Sequence, residues 1–205
     1  MKKFEFTGET KTLLDGTVLH RIEALVRIEF GRMAVEIGEL GGWIEKENNL
    51  SHDGNAWVFR NAEVYGNAEV YGNARVYGNA RVCGDARVYG NAEVYGNAWV
   101  CDDARVCGDA IVCGNAEVYG NAEVFRMEHY LVMGPIGRRN AFTTFFRTKE
   151  RNIKVVCGCF FGTIDEFLAK VKQTHGDSKH AKVYRAAVEV ALAQLEDVER
   201  RNNYA

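Results

Sequence analysis

The segment GPIGRRNAFTTFFRTK, residues 134–149, gathers the side chains with the plainest chemistry in the chain. Gly134 and Gly137 bracket a turn, and a glycine turn can aim backbone N–H groups at an anion. Arg138, Arg139 and Asn140 follow, and guanidinium groups grip phosphate oxygens in bidentate pairs. Thr144 and Arg147 continue on a strand. Further on, a second helix starts near THGDSKH, and its free N–H groups and positive end, with Lys179, favour another phosphate. The expected site is one pocket holding Arg138, Arg139, Asn140, Thr144 and Arg147, with His175 and Lys179 at its rim. Trp43 and Tyr184 are available to stack on a base. The chemistry is retention of a small anionic ligand, a nucleotide among the candidates, without a catalytic base, cofactor or metal. The competing reading makes the arginines surface ion pairs and Thr143–Thr144 ordinary strand sequence.

Composition sets outer bounds. The chain has 205 residues and a net charge of -2, unevenly spread. Residues 1–50 carry 7 basic and 9 acidic side chains, residues 51–125 carry 5 and 10, and residues 126–205 carry 14 and 9. An acidic middle and a basic end point to different partners for the two parts. An excess of +5 on a small domain argues against nucleic acid as the partner. No apolar run is long enough to span a membrane, and the start MKKFEFTGET lacks the apolar core of a secretory signal. Four of the six cysteines, Cys83, Cys101, Cys107 and Cys113, recur at one repeat position. That is a poor disulfide framework, so they read as reduced thiols in a cytoplasmic protein. Cys83 beside Cys101 lacks the further ligands a metal needs.

The elements that must position these groups are legible in the repeat. A hexad N-A-x-V-x-G runs twelve times over residues 55–126. Ala and Val alternate with variable residues, the period of a strand buried on one face. Gly-Asn or Gly-Asp recurs where a sharp corner is needed. Such units bury their apolar face only by stacking, which implies a parallel β-helix. At eighteen residues per turn the outward columns read Trp57, Arg75, Glu93, Ile111; Glu63, Arg81, Trp99, Glu117; and Glu69, Arg87, Arg105, Glu123. Opposite charges are neighbours at several steps, and Arg87–Arg105 is the only like-charge step. A second outward column per face is Tyr-, Phe- and Cys-rich, and such stripes call for self-association or for cover by flanking segments.

Before the repeat, KFEFTG and VLHRIEALVRIEF read as two or three strands, and LGGWIEKENNL as a cap on the first coil. After it, HYLVM, AFTTFFR and IKVVCGCF read as strands. Thr163 and Glu166 have capping-box spacing ahead of a helix that stops at Gly176. A second helix begins near Ser178 and buries Tyr184, Ala187, Val188, Ala191, Leu192 and Leu195. The fold class is mainly β, a β-helix of about four coils with an N-terminal β cap and a small C-terminal α+β domain. The boundaries are 1–54, 55–126 and 127–205.

The lead-in GELGGWIEKENNLS, the hexads, and the motifs TTFFRT, CGCFFGT and THGD together resemble phage and prophage hexapeptide-repeat proteins of poorly defined function. The resemblance implies a left-handed, triangular helix and favours a homotrimer. It supplies no catalytic residues. Acyltransferases also resemble this fold, but they generally use a histidine near a coil and often a loop between coils. His20, His52, His129, His175 and His180 all lie outside the hexads, and the array has no insertion. A β-helical carbonic anhydrase fails the same test for three coil histidines. The array also holds no Thr, so ice binding is rejected. Two readings lead, a phage-type binding protein that sequesters an anionic nucleotide signal of bacterial defence in the host cytoplasm, and an interaction module that blocks a host factor through its Tyr-lined faces; a hexapeptide-repeat acyltransferase is the third alternative.

Overall fold

The computed structural model describes residues 1–195. Its body is a parallel β-solenoid of about five turns, and each hexad contributes a two-residue rung followed by a corner. The Ala and Val of every hexad point inward; Val64, Val82, Val100 and Val118 form one interior column, each fully buried. Rungs eighteen residues apart pair in parallel, as Arg81 does with Glu63 below and Trp99 above. The corners need a left-handed backbone: Gly78 sits at φ +73, and a Cβ there would lie 3.0 Å from the Gly96 nitrogen. Asp102 takes the same conformation at φ +56, and its carboxylate accepts from the Gly120 N–H at 3.1 Å. At many corners an asparagine donates to the residue one turn on, as in Asn61–Asn79–Asn97–Asn115 at 3.4, 3.3 and 3.1 Å. These ladders add side-chain hydrogen bonds to the backbone ones.

The count of four coils is short because it left out the lead-in. Strand β5 (Leu40–Ile44) pairs in parallel with the rung Glu63–Val64, and Leu50 bridges Val70 in parallel. The segment expected to cap the helix is thus its first turn. The cap lies one layer further out, in β1 (Phe4–Thr12) and β2 (Val18–Ala24), an antiparallel pair that continues the sheet of the first face beyond β5. A short hairpin of β3 (Ile28–Phe30) and β4 (Met33–Val35) follows. Two polar side chains close the open end. Lys3, 3% exposed, donates its ammonium to the Ala56 and Gly54 carbonyls at 2.8 and 3.3 Å. The Asn49 amide does the same for Ala68 and Gly66 at 2.8 and 3.1 Å. Orphan carbonyls of a solenoid end need such partners.

These N-terminal strands also cover part of the outer surface. Trp57, in an outward column, is fully buried, edge-on to Phe4. Lys11 reaches Glu63 at 2.8 Å, and Phe30 packs on Phe59 at 5.7 Å. Where the columns stay open they pair as the eighteen-residue spacing requires. Arg75 bonds Glu93, Arg81 meets Glu63 at 3.1 Å and Arg87 meets Glu69 at 3.5 Å. Tyr71–Tyr89 and Tyr77–Tyr95 stack at 4.9 and 4.6 Å.

The C-terminal unit closes the other end. Its antiparallel sheet runs β6 (Tyr130–Ile136), β7 (Ala141–Arg147), β8 (Ile153–Cys157), β9 (Phe160–Thr163). The stretch read as one strand, IKVVCGCF, turns at Gly158 and gives two. Alternation along β7 sends Phe146 into the solenoid core and Phe145 toward the helices. Helices α1 (Ile164–His175) and α2 (Lys179–Leu195) pack on that second face around Phe167 and Tyr184. The capping box at α1 forms as expected, Thr163 and Glu166 exchanging bonds at 2.7 and 3.3 Å. No helix among the described residues is long and apolar enough to cross a membrane. Residues 196–205 of the C-terminal unit lie outside the described residues.

Candidate functional site

The β6–β7 turn, residues 137–140, carries Arg138, Arg139 and Asn140, all exposed. It closes through an Asn140 N–H donated to the Gly137 carbonyl at 3.4 Å, with Asn140 at φ +50. Its glycines serve close packing. A Cβ on Gly137 would lie 1.8 Å from the Tyr184 hydroxyl oxygen, and one on Gly134 would lie 2.6 Å from the Phe142 ring. Gly137 thus brings the turn into contact with α2. That contact sets Arg139 beside the Tyr184 phenol. Burial and the neighbouring Cys157 push the Tyr184 hydroxyl up to about 12, and the Arg139 charge pulls the other way.

His175 joins the same corner from the end of α1. Its ring centroid lies 5.7 Å from that of Tyr184 and 6.0 Å from that of His180. The link between the helices is held by Arg185, which bonds Asp177 at 3.2 Å and the Gly176 carbonyl at 3.0 Å. Lys179, the first residue of α2, is exposed on that link. Among the described residues no carboxylate pairs with Arg138, Arg139 or Lys179. Arg139 thus stands near the Tyr184 phenol, with Arg138 beside it in the turn, while His175 and His180 flank Tyr184 and Lys179 is exposed on the link between the helices.

Three of the expected residues are elsewhere. Thr144 is buried on the opposite face of β7, where its hydroxyl accepts the Glu117 N–H at 3.0 Å and seals the sheet to the last solenoid turn. Arg147 lies at the far end of β7, roughly 20 Å from Asn140 at the rise of a strand. There its charge, after burial, helps hold His129 below the usual histidine value. Trp43 belongs to β5 in the first turn, between Lys11 at 4.5 Å and Arg21 at 5.1 Å. Four rungs separate it from Glu117, roughly 19 Å. Strand alternation could have removed Thr144, since it shares a face with Phe146; the placement of Trp43 depends on which end each unit caps. His180 and Cys157 were missed. His180 follows Lys179 directly, and Cys157 is opposite Thr143 in the β7–β8 register.

The cysteine reading needs correction. Cys83 and Cys101 are joined by a disulfide, and the free thiols among the described residues are Cys107, Cys113, Cys157 and Cys159. Column neighbours in a parallel stack point the same way one strand spacing apart, so recurrence at one repeat position is what brings a pair within reach.

A family model described as the YdcK beta-solenoid repeat matches four overlapping segments, residues 68–84, 74–87, 80–95 and 86–102. The matches fall in the middle of the solenoid and leave both flanking units untouched. No curated protein matches the chain.

Proposed function

We propose that this chain is a non-enzymatic binding protein whose C-terminal corner holds a small anionic ligand, with the solenoid as its rigid scaffold. The observation that carries the reading is that Arg139 lies near Tyr184 and His175 lies against that ring, while among the described residues no carboxylate pairs with Arg138, Arg139 or Lys179. Anions gain most where guanidinium groups have no carboxylate to lose first. A nucleotide suits the corner best: its phosphates meet the arginines and its base the His175–Tyr184 edge. In the wider reading the protein is of phage type, acts in the host cytoplasm as a homotrimer, and sequesters a nucleotide signal of bacterial defence.

A thermal-shift screen with nucleotides and cyclic dinucleotides identifies the ligand. Calorimetric titration then compares wild type with Arg138→Ala/Arg139→Ala. Two charge-assisted contacts at about 1.5 kcal/mol each correspond to roughly a hundredfold loss of affinity. Equal affinities in wild type and double variant would remove this site. A second reading, interaction with a host protein, is favoured by the face bearing the Tyr71–Tyr89 stack and Phe125, which is 41% exposed. It becomes the better one if no anion shifts the melt.

A further inference from the structure

The Cys83–Cys101 disulfide ties the third and fourth turns on the solenoid's first face. The Cα atoms are 4.7 Å apart, the spacing that hydrogen-bonded rungs already impose. The stack holds this spacing without the bond, because the Cys83 N–H donates to Val100 at 2.9 Å and the Cys101 N–H to Val118 at 3.0 Å. Breaking the bond therefore leaves both sulfurs side by side, ready to close again. The two sulfurs are also unequal. Cys83 is 4% exposed, whereas Cys101 is partly open to solvent. The Trp99 indole N–H donates to the Cys83 sulfur at 3.0 Å. A thiolate from solvent meets Cys101 first, and the sulfur that must leave, Cys83, already has a donor facing it.

We propose that Cys83–Cys101 is a reversible thiol–disulfide exchange site whose co-reactant is a small dithiol. One thiolate of the dithiol attacks the Cys101 sulfur. A mixed disulfide forms there, the Cys83–Cys101 bond breaks, and its electron pair stays on Cys83, stabilised by the Trp99 N–H until a proton arrives. The second thiol then attacks the mixed disulfide and expels Cys101 as a thiolate. The dithiol leaves as its cyclic disulfide, and the protein has gained two electrons and two protons. The reverse sequence with a disulfide reagent closes the clip. The other thiols have different neighbours. Cys113 is beside the Tyr130 hydroxyl, Cys157 faces Thr143 and Tyr184, and the column neighbours of Cys107 are Tyr89 and Phe125. The clip closes an 18-residue loop, so the oxidised solenoid should resist melting more than the reduced one.

The test uses the full chain. Protein exposed to air or treated with a dithiol is unfolded in excess alkylating reagent and weighed intact. Four alkylated cysteines are expected before the dithiol and six after, with unchanged circular dichroism and a melting point lower by roughly 6 °C. Cys101→Ser should lose the melting difference while remaining folded. Trp99→Phe should keep the four-to-six change but slow reduction several-fold. Six alkylated cysteines in the oxidised sample, or a dithiol-dependent melting shift that persists in Cys101→Ser, would overturn the proposal. An unchanged reduction rate in Trp99→Phe would overturn the assignment of Cys83 as the leaving sulfur.

Discussion

Lys3 offers a quantitative test of how the solenoid end is closed. Its ammonium is buried beneath the first turn and bonded to two carbonyls. Burial lowers its pKa from 10.5 to about 8, with Asp53 pulling partly back. A lowered lysine pKa means that between about 8 and 10.5 the unfolded chain holds the proton more often than the folded one. Stability then rises with pH across that window. From those two pKa values the Lys3 contribution grows by about 1.3 kcal/mol between pH 7 and 9, and by about 1 kcal/mol after allowance for solvent screening. Above pH 10 the solenoid tyrosines act oppositely. Burial raises Tyr71 and Tyr77 above the usual phenol value, so the unfolded chain releases their protons first and stability falls. Urea unfolding of wild type and Lys3→Met at pH 7, 8 and 9 isolates the lysine, since other groups cancel in the difference. Wild type should gain about 1 kcal/mol relative to the variant over that range. A difference that stays flat or falls with pH would show that the ammonium is not buried against those carbonyls.

Four further outcomes are expected. Val88→Asp places a carboxylate in the fully buried interior column between Val70 and Val106, at a cost of several kcal/mol, and far-UV circular dichroism should show loss of the fold. Gly137→Ala and Gly114→Ala both strain a positive φ by about 1 kcal/mol, but only the first drives a methyl into Tyr184, so it should lower the melting point further. His129 is buried and held below the usual histidine value, so the unfolded chain takes up its proton first and stability should fall as pH drops below about 6.5; His129→Gln should flatten that part of the profile. Light scattering across a wide concentration range should return a trimer mass, and a monomer mass throughout would sink the trimer.

The amino-acid order alone determined the solenoid. With Ala and Val inward at period two and a glycine corner every sixth residue, stacking is the arrangement that buries the apolar face, and the charge columns followed from the same arithmetic. The α1 helix was equally local, because the Thr163–Glu166 capping box and the apolar spacing need only a few neighbouring residues. Tertiary structure decided what lies between units. LGGWIEKENNL carries no hexad, yet it becomes the first turn because the exposed edge of the rung Glu63–Val64 accepts any extended partner with suitable hydrogen-bonding groups. Lys3 became a buried cap because the last unpaired carbonyls happen to face the start of the chain. Thr144, Arg147 and Trp43 were drawn into one imagined pocket by residue type, whereas strand alternation, strand length and the two opposite ends of the stack keep them apart. Arg139 and His175 both come near Tyr184, since Gly137 lets the turn approach α2 to within contact of its phenol. The disulfide is the clearest case: the sequence shows cysteines recurring every turn or fraction of one, but only the closed stack makes eighteen residues of separation equal to 4.7 Å in space.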